Sequence, residues 1–272
     1  MTGGLGLCWG TIPRASMFAH IDAAADSGYT TISVSPEQYA GAKRSPAELR
    51  SRLDDVGISV DVVDPTLAWL PGLQGSASGG LLSYQPADLL EAAAALGAPW
   101  INAAAALPGP WSEAEITEAF AVLCASGAEV GIGVLLEFVP WSTVGDLASA
   151  ARVVRASGAT NAGVTFDVWH FHRGGGRIAN LSEADLALVH CIQLNDATSK
   201  PTTDPMTESI SARLLPGDGE IPLPALLQCV LAHAATDVLS LEVFSTDLAR
   251  RPALETAKLA AAAAHRVLGE ME

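Results

Sequence analysis

The sequence predicts a single α/β domain, a (β/α)8 TIM barrel over residues 1–272, on three observations. Strand-like and helix-like segments alternate with short links, and the unit repeats eight times over about 250 residues, which is the arithmetic of this fold. The later strands, within GIGVLLEF, NAGVTFDVWH, HCIQLND and VLSLEVF, are continuous apolar runs, as expected for parallel strands covered on both faces. At or near the end of each run stands one oxygen-bearing side chain: Glu137, Asp167, Gln193 or Glu242. A doubly wound open sheet is the competing architecture, but no GxGxxG follows the first strand.

In order, LGLCWG reads as the first strand and SMFAHIDAAADSG as its helix, with Ser16 as N-cap and Gly28 as stop. TTISVSP is the second strand, followed by SPAELRSRLDDVG, which Ser45 caps and Pro46 opens. ISVDVVDP and QPADLLEAAAALG form the third pair. PWINAAAAL and SEAEITEAFAVLCASG form the fourth, the helix opening on Ser112 and Glu115 in capping-box spacing. The four later runs alternate with VGDLASAARVVRASG, LSEADLALV and IPLPALLQCVLAHAA, and RPALETAKLAAAAAHRVL closes the chain as a helix. Two loops leave the carboxyl ends of strands, where barrel enzymes keep their chemistry: FHRGGGR after strand six and DATSKPTTDPMTESISARLLPGDGE after strand seven. The second is too long for a mere connection and is expected to cover or shape a site.

Side chains alternate across a strand. Val134, Leu136, Val164, Phe166, Ile192, Leu194, Leu239, Leu241 and Val243 therefore share the outer, helix-facing side of their strands. Gly133, Thr165, Cys191 and Ser240 fall on the other side with Glu137, Asp167, Gln193 and Glu242, so that the polar set converges on the barrel interior. Three crowded carboxylates would repel unless one took up a proton or a cation joined them. Two glutamates, an aspartate and an amide oxygen make a hard-donor set that suits Mn²⁺ or Mg²⁺, with Co²⁺ or Zn²⁺ as alternatives.

Composition narrows the class. Nearly half the residues are hydrophobic and 17% are charged, enough for a large core, and no apolar stretch reaches the roughly 18 to 20 residues of a membrane span. The amino terminus, MTGGLGLCWG, has no basic segment followed by an apolar one, and the expectation is a cytoplasmic protein with no membrane partner. Fifteen basic against thirty acidic residues leave a formal charge of −15, which repels a phosphate backbone and argues against nucleic acid. Cys8, Cys124, Cys191 and Cys229 form no CxxC pair, so neither a zinc knuckle nor a redox motif is indicated.

These residues resemble the xylose isomerase-like TIM barrels, a family that includes sugar phosphate isomerases and epimerases, inosose dehydratases and class II AP endonucleases. The resemblance covers nearly the whole chain. The family's metal-binding Glu on strand five corresponds to Glu137 in LLEF, its Asp with a His three residues on to Asp167 and His170 in DVWH, and its strand-eight Glu to Glu242 in LEVF. An Arg ahead of PGxG corresponds to Arg213 in RLLPGDG. Two positions depart. Gln193 stands where the family more commonly has a ligating His, and Thr143 stands where ketose 3-epimerases carry a second substrate-binding Glu. AP endonuclease activity is set aside, because its three-zinc site needs several more histidines and this chain has none between His20 and His170.

The resemblance implies a divalent-metal-dependent isomerase or epimerase acting on a sugar, sugar phosphate or inositol-type hydroxy-carbonyl compound. Glu137 and Glu242 would remove and return a proton beside the carbonyl, with His170 and Arg213 stabilising the enediolate oxygen. A lyase that expels a leaving group from the same enolate and a non-catalytic carbohydrate-binding barrel are the alternatives. His172 and Asp196 are open between a site role and loop packing or capping; Lys200 is read as solvated. Trp9, Trp69, Trp141 and Trp169 fall near strand ends, where aromatic faces either stack on a ring substrate or pack the loops. His20, His190, His233 and His265 are given no role. A homodimer is expected by analogy with the family.

Overall fold

The computed structural model describes residues 3–43, 46–73, 80–107 and 109–271. Eight parallel strands close into one barrel in sequence order. They are β1 (Gly4–Cys8), β2 (Thr31–Val34), β3 (Ser59–Thr66), β4 (Trp100–Ala104), β5 (Gly133–Glu137), β6 (Ala162–Asp167), β7 (Val189–Leu194) and β8 (Val238–Leu241). Eleven helices accompany them among the described residues: α1 (Met17–Ala25), α2 (Pro36–Ala42), α3 (Pro46–Val56), α4 (Pro86–Leu96), α5 (Glu113–Glu129), α6 (Leu147–Ser157), α7 (Val168–Arg173), α8 (Glu183–Leu186), α9 (Pro205–Ser211), α10 (Leu223–Leu231) and α11 (Ala253–Gly269).

The capping chemistry sits where it was expected. Ser16 Oγ accepts from the amide of Ala19, and Ser112 and Glu115 form a complete capping box. Ser45, expected to cap α3, lies outside the described residues. Three short helices were not foreseen. α2 follows β2 at once, because Ser35 and Gln38 make a capping box around Pro36. α7 opens on the side chain of Asp167, and α9 opens on Asp204 and Pro205 inside the long loop after β7. The expected helix LSEADLALV shrinks to the four residues of α8.

The outward strand residues Val134, Leu136, Val164, Phe166, Ile192, Leu194, Leu239 and Leu241 join the helices in one continuous core. Inside the barrel, Val62, Leu135 and Cys191 form a separate cluster with Trp100 against it. The register shifts between β2 and β3, between β3 and β4 and between β6 and β7, and the first and last of these irregularities shape this inner layer. Val60 pairs with Ile32 and Val62 with Ser33, leaving Asp61 as an extra residue. Val164 pairs with Val189 and Thr165 with Cys191, leaving His190 as another. The His190 ring stacks on Trp100 with centroids 4.6 Å apart, filling the amino-terminal end of the barrel. Gly163 makes room for it: a Cβ there would lie 2.6 Å from His190 Cδ2 and 2.9 Å from Leu135 Cδ2. No helix of the described residues is long and apolar enough to cross a membrane.

Two predictions follow from this plugged end. Gly163→Ala overfills it and is expected to cost about 1–3 kcal/mol, measured as a lower denaturant midpoint with an unchanged slope. The second concerns Asp61, whose Oδ1 is buried and unpartnered and whose carboxyl burial pushes up to about 7. Below about pH 4 the folded and unfolded chains both hold this proton, whereas between about 4 and 7 only the folded chain does. The stability it contributes is thus present in acid and lost as pH rises through 7. Thermal unfolding temperature should fall across that window in the parent and fall less in Asp61→Asn; equal slopes would contradict the assignment.

Candidate active site

Glu137 and Asp167 are the last residues of β5 and β6, Gln193 is the penultimate residue of β7, and Glu242 directly follows β8. The parallel register staggers them around the barrel: Asp167 is opposite Gln193, whereas Glu137 is opposite Thr165, two residues before Asp167, and Gln193 is opposite Ser240, two before Glu242. All four side chains are buried. They lie at the carboxyl end of the barrel, and Arg213 reaches them from the long loop after β7.

The Arg213 guanidinium joins two of the acids. Its Nη1 donates to Asp167 Oδ2 at 2.6 Å and to Glu242 Oε2 at 2.8 Å, while Nε donates to the Ser209 carbonyl at 2.7 Å. Trp169 and Phe244 cover it, with their ring centroids 5.6 and 5.2 Å from its carbon. Its Nη2 has no hydrogen-bond partner among the described residues.

Each glutamate is oriented by an amide. Asn102, on β4, donates through Nδ2 to Glu137 Oε2 and to Asp64 Oδ1, both at 2.7 Å, and its Oδ1 accepts from the Thr165 hydroxyl at 2.8 Å. Gln193 Nε2 donates to Glu242 Oε1 at 2.8 Å. The Cys8 thiol donates to the same oxygen at 3.2 Å. His170 Nε2 faces Glu137 Oε1 at 3.2 Å, and the backbone amide of His170 donates to Asp167 Oδ1 at 2.9 Å. His170 Nδ1 is left buried and unpartnered, with Trp141 and Trp169 edge-on to its ring.

Four buried carboxylates, Asp64, Glu137, Asp167 and Glu242, thus lie near one guanidinium, which pairs with two of them. Burial raises the Asp167 carboxyl, but Arg213, His170 and the hydrogen bonds at its oxygens outweigh this and hold it at about 2. Glu242 goes the other way: burial pushes it well above the usual range, and the negative charges of Asp64, Asp167 and Glu137 add to the shift despite Arg213. One guanidinium fully compensates only one of its two partners. Burial and Glu137 likewise raise Asp64, to about 7.

This excess of negative charge fits a divalent cation, and so does the donor set. Glu137, Asp167 and His170 each offer a ligand atom within 4.8 Å of the others, as do Cys8, Asp64 and Glu242. Gln193 Oε1, the amide oxygen expected as a ligand, is buried and has no partner. The predicted quartet is therefore arranged as two neighbouring groups, with Arg213 and Gln193 between Asp167 and Glu242.

Other expectations resolve into structural roles. Asp196 ties down the PGDG turn, accepting from the amides of Ala197, Gly217, Gly219 and Ile221 at 2.8–3.1 Å. Lys200 is exposed. His172 is partly buried, and burial followed by neighbouring Arg173 lowers its pKa. Arg173 anchors the loop after β6 to α9 by pairing with Glu208 at 2.7 Å. Trp69 packs against Phe120 of α5 and donates to the Ala104 carbonyl. Thr143 donates to the Trp111 carbonyl. His20 is buried outside the barrel with Nε2 on the Leu7 carbonyl, and burial lowers it to about 4.

The residues that sequence reasoning missed are Asp64, Asn102 and Cys8. The available signal was the one used for the later strands: WINAAAAL and VDVVDP also carry a polar residue within an apolar run.

Comparison with known proteins agrees with this architecture. The family model described as xylose isomerase-like TIM barrel matches residues 21–268. An inosose isomerase of Bacillus velezensis is 34% identical over 132 residues, 48% of this chain and 46% of that protein. One from Halalkalibacterium halodurans is 31% identical over 133 residues, 47% of this chain and 46% of that protein. The match therefore spans about half the length of these curated relatives. Among solved structures, an IOLI protein described with a bound zinc atom superposes with a TM-score of 0.84, at 18% identity and 99% coverage of both chains.

Replacing Arg213 with Met would leave Asp167 and Glu242 buried without their cation. Its expected cost in metal-free protein is about 3–5 kcal/mol, measured by urea unfolding. A loss under about 1 kcal/mol would mean that the two ion pairs contribute little to the fold.

Proposed function

We propose, from the premise that this chain belongs to the xylose isomerase-like TIM barrel family, that it is an isomerase or epimerase of cyclic keto-polyols of the inosose type. The observation that carries this reading is the pair of buried glutamates, Glu137 and Glu242, each oriented by its own amide, with Arg213 between Asp167 and Glu242. Epimerisation next to a carbonyl uses such a pair, one carboxylate to take the proton on one face and a second to return it on the other, while isomerisation can proceed with one of them. The inosose isomerases matched over part of their length point to the substrate class.

Glu137 and Glu242 come from strands separated by β6 and β7, so they approach a bound substrate from different sides. Asn102 fixes Glu137 by one oxygen and leaves the other toward His170. Arg213 Nη2 and His170 Nδ1 are free to hydrogen-bond the carbonyl oxygen as it gains negative charge. Trp141 and Trp169 wall His170 and keep water from its ring. Glu137, Asp167, Gln193 and Glu242, with His170 beside them, are the residues that would hold a divalent cation, Mn²⁺ or Mg²⁺ by donor type and Zn²⁺ or Co²⁺ as alternatives. When bound, such an ion acts as a Lewis acid on the substrate carbonyl.

Deuterium uptake from D₂O into an inosose tests the reaction. Wild-type protein should exchange a C–H next to the carbonyl, and Glu137→Gln should lower the rate by about 10²–10⁴-fold. Loss of water from the substrate would identify a lyase instead, and binding without exchange a non-catalytic barrel. Metal binding is tested separately by thermal unfolding of chelator-treated protein: one or more of Mn²⁺, Mg²⁺, Co²⁺ and Zn²⁺ should raise the unfolding temperature, and Asp167→Asn should abolish the rise.

A further inference from the structure

Asp64 is buried at the carboxyl end of the barrel with fewer donors than a carboxylate can use. A carboxylate offers about four acceptor positions. Among the described residues Asp64 receives one short hydrogen bond, from Asn102 Nδ2 at 2.7 Å, and one long one, from the Trp9 indole at 3.4 Å. Among the described residues no ion pair reaches it, since Arg213 bonds Asp167 and Glu242 instead. The carboxylate is nonetheless part of the site: it lies within 4.8 Å of ligand atoms of Cys8 and Glu242, and it shares the Asn102 nitrogen with Glu137. Beside it the Trp9 and Phe244 rings meet edge to face with centroids 5.3 Å apart.

We propose that Asp64 is a specificity-determining residue that receives a hydroxyl of the substrate on a carbon close to the reacting C–H, with Trp9 and Phe244 forming the apolar wall at that end. The spacing carries the assignment. One amide nitrogen bonds both carboxylates, so Asp64 and Glu137 lie about as far apart as groups that would contact neighbouring substituents of one small ring. With Glu137 at the reacting C–H, Asp64 meets an adjacent hydroxyl. Substrates with a hydroxyl there supply the missing donor, while those without it leave a buried carboxylate short of partners, which is how a site built for a hydroxyl rejects its absence. In this assignment Glu137 takes the proton and Asp64 binds, and kcat separates the two roles. The proposal names the substrate feature read by the activity proposed above, and so rests on that reading.

The test uses the full chain with an inosose and a set of its single-deoxy analogues, following deuterium exchange. Asp64→Asn and Asp64→Ala are expected to raise KM about 10–100-fold for the inosose and leave kcat within about threefold. One deoxy analogue should show the same penalty in wild type and no further penalty in Asp64→Ala. Equal losses for every analogue, or a fall in kcat like that of Glu137→Gln, would overturn the assignment in favour of a positioning role through Asn102. A Mn²⁺ titration of Asp64→Asn gives the other exclusion, because loss of a bound ion would make Asp64 a metal ligand. If wild type exchanges no inosose, the proposed activity fails but Asp64 can still be judged. Calorimetric binding of an unreactive inositol should then weaken in Asp64→Ala, and unchanged binding would sink the specificity role. Circular dichroism of both variants checks that the fold is intact.

Discussion

The carboxyl end of this barrel is governed by a shortage of positive charge. Asp64, Glu137, Asp167 and Glu242 are buried together, and Arg213 supplies the cation that touches two of them. A buried carboxylate persists only if it is paired, hydrogen-bonded or protonated, and the site uses each means. Asp167 has the shortest contact with Arg213 and two further kinds of donor, and it stays a strong acid. Glu242 shares the same guanidinium nitrogen and receives donors from an amide and a thiol, yet it is driven toward its protonated form. A divalent cation would relieve this imbalance directly, and a neutral hydroxyl donor would supply hydrogen bonds that these carboxylates lack.

That shortage explains the loop after β7. A 3-10 turn or a plain connection would leave Asp167 and Glu242 facing each other; the long excursion through α9 instead brings Arg213 back over them. Its return is held by groups outside the reaction. Asp196 grips the turn that follows by four backbone amides, and the Arg173–Glu208 pair fixes α9 to the end of α7. Ser209, the last-turn carbonyl of α9, accepts from Arg213 Nε, so the helix end orients the guanidinium as well as the chain.

The barrel was legible because its signal repeats: apolar runs with period-two faces, interrupted by capped amphipathic helices. The same alternation placed Glu137, Asp167, Gln193 and Glu242 on one inner face, and the structure brings these four side chains to the carboxyl end of the barrel. Asp64 and Asn102 carry the same pattern, but a single polar residue early in the chain has no motif around it and is recognisable only once β3 and β4 are closed beside β5. Asp61 and His190 were illegible for another reason. Each is the extra residue of a bulge, and a strict two-residue alternation cannot say which way such a residue turns. The short helices α2, α7 and α9 escaped because their cores are too brief for a 3.6-residue period and only their caps announce them.

Gln193 illustrates how one substitution is absorbed by its surroundings. An imidazole at this position offers a single nitrogen to a cation and a single donor behind it. The amide offers an oxygen acceptor and two N–H donors on one end group, and the structure spends a donor on Glu242 while Oε1 stays buried and unpartnered. The amide therefore does two things at once: it fixes one oxygen of the strand-eight glutamate, and it presents a hard acceptor on the same side chain. Were a cation held here, a hard oxygen in place of a borderline nitrogen would favour manganese or magnesium over zinc. In a pocket already rich in carboxylates and poor in cations, a neutral amide in place of a neutral imidazole leaves the charge balance unchanged.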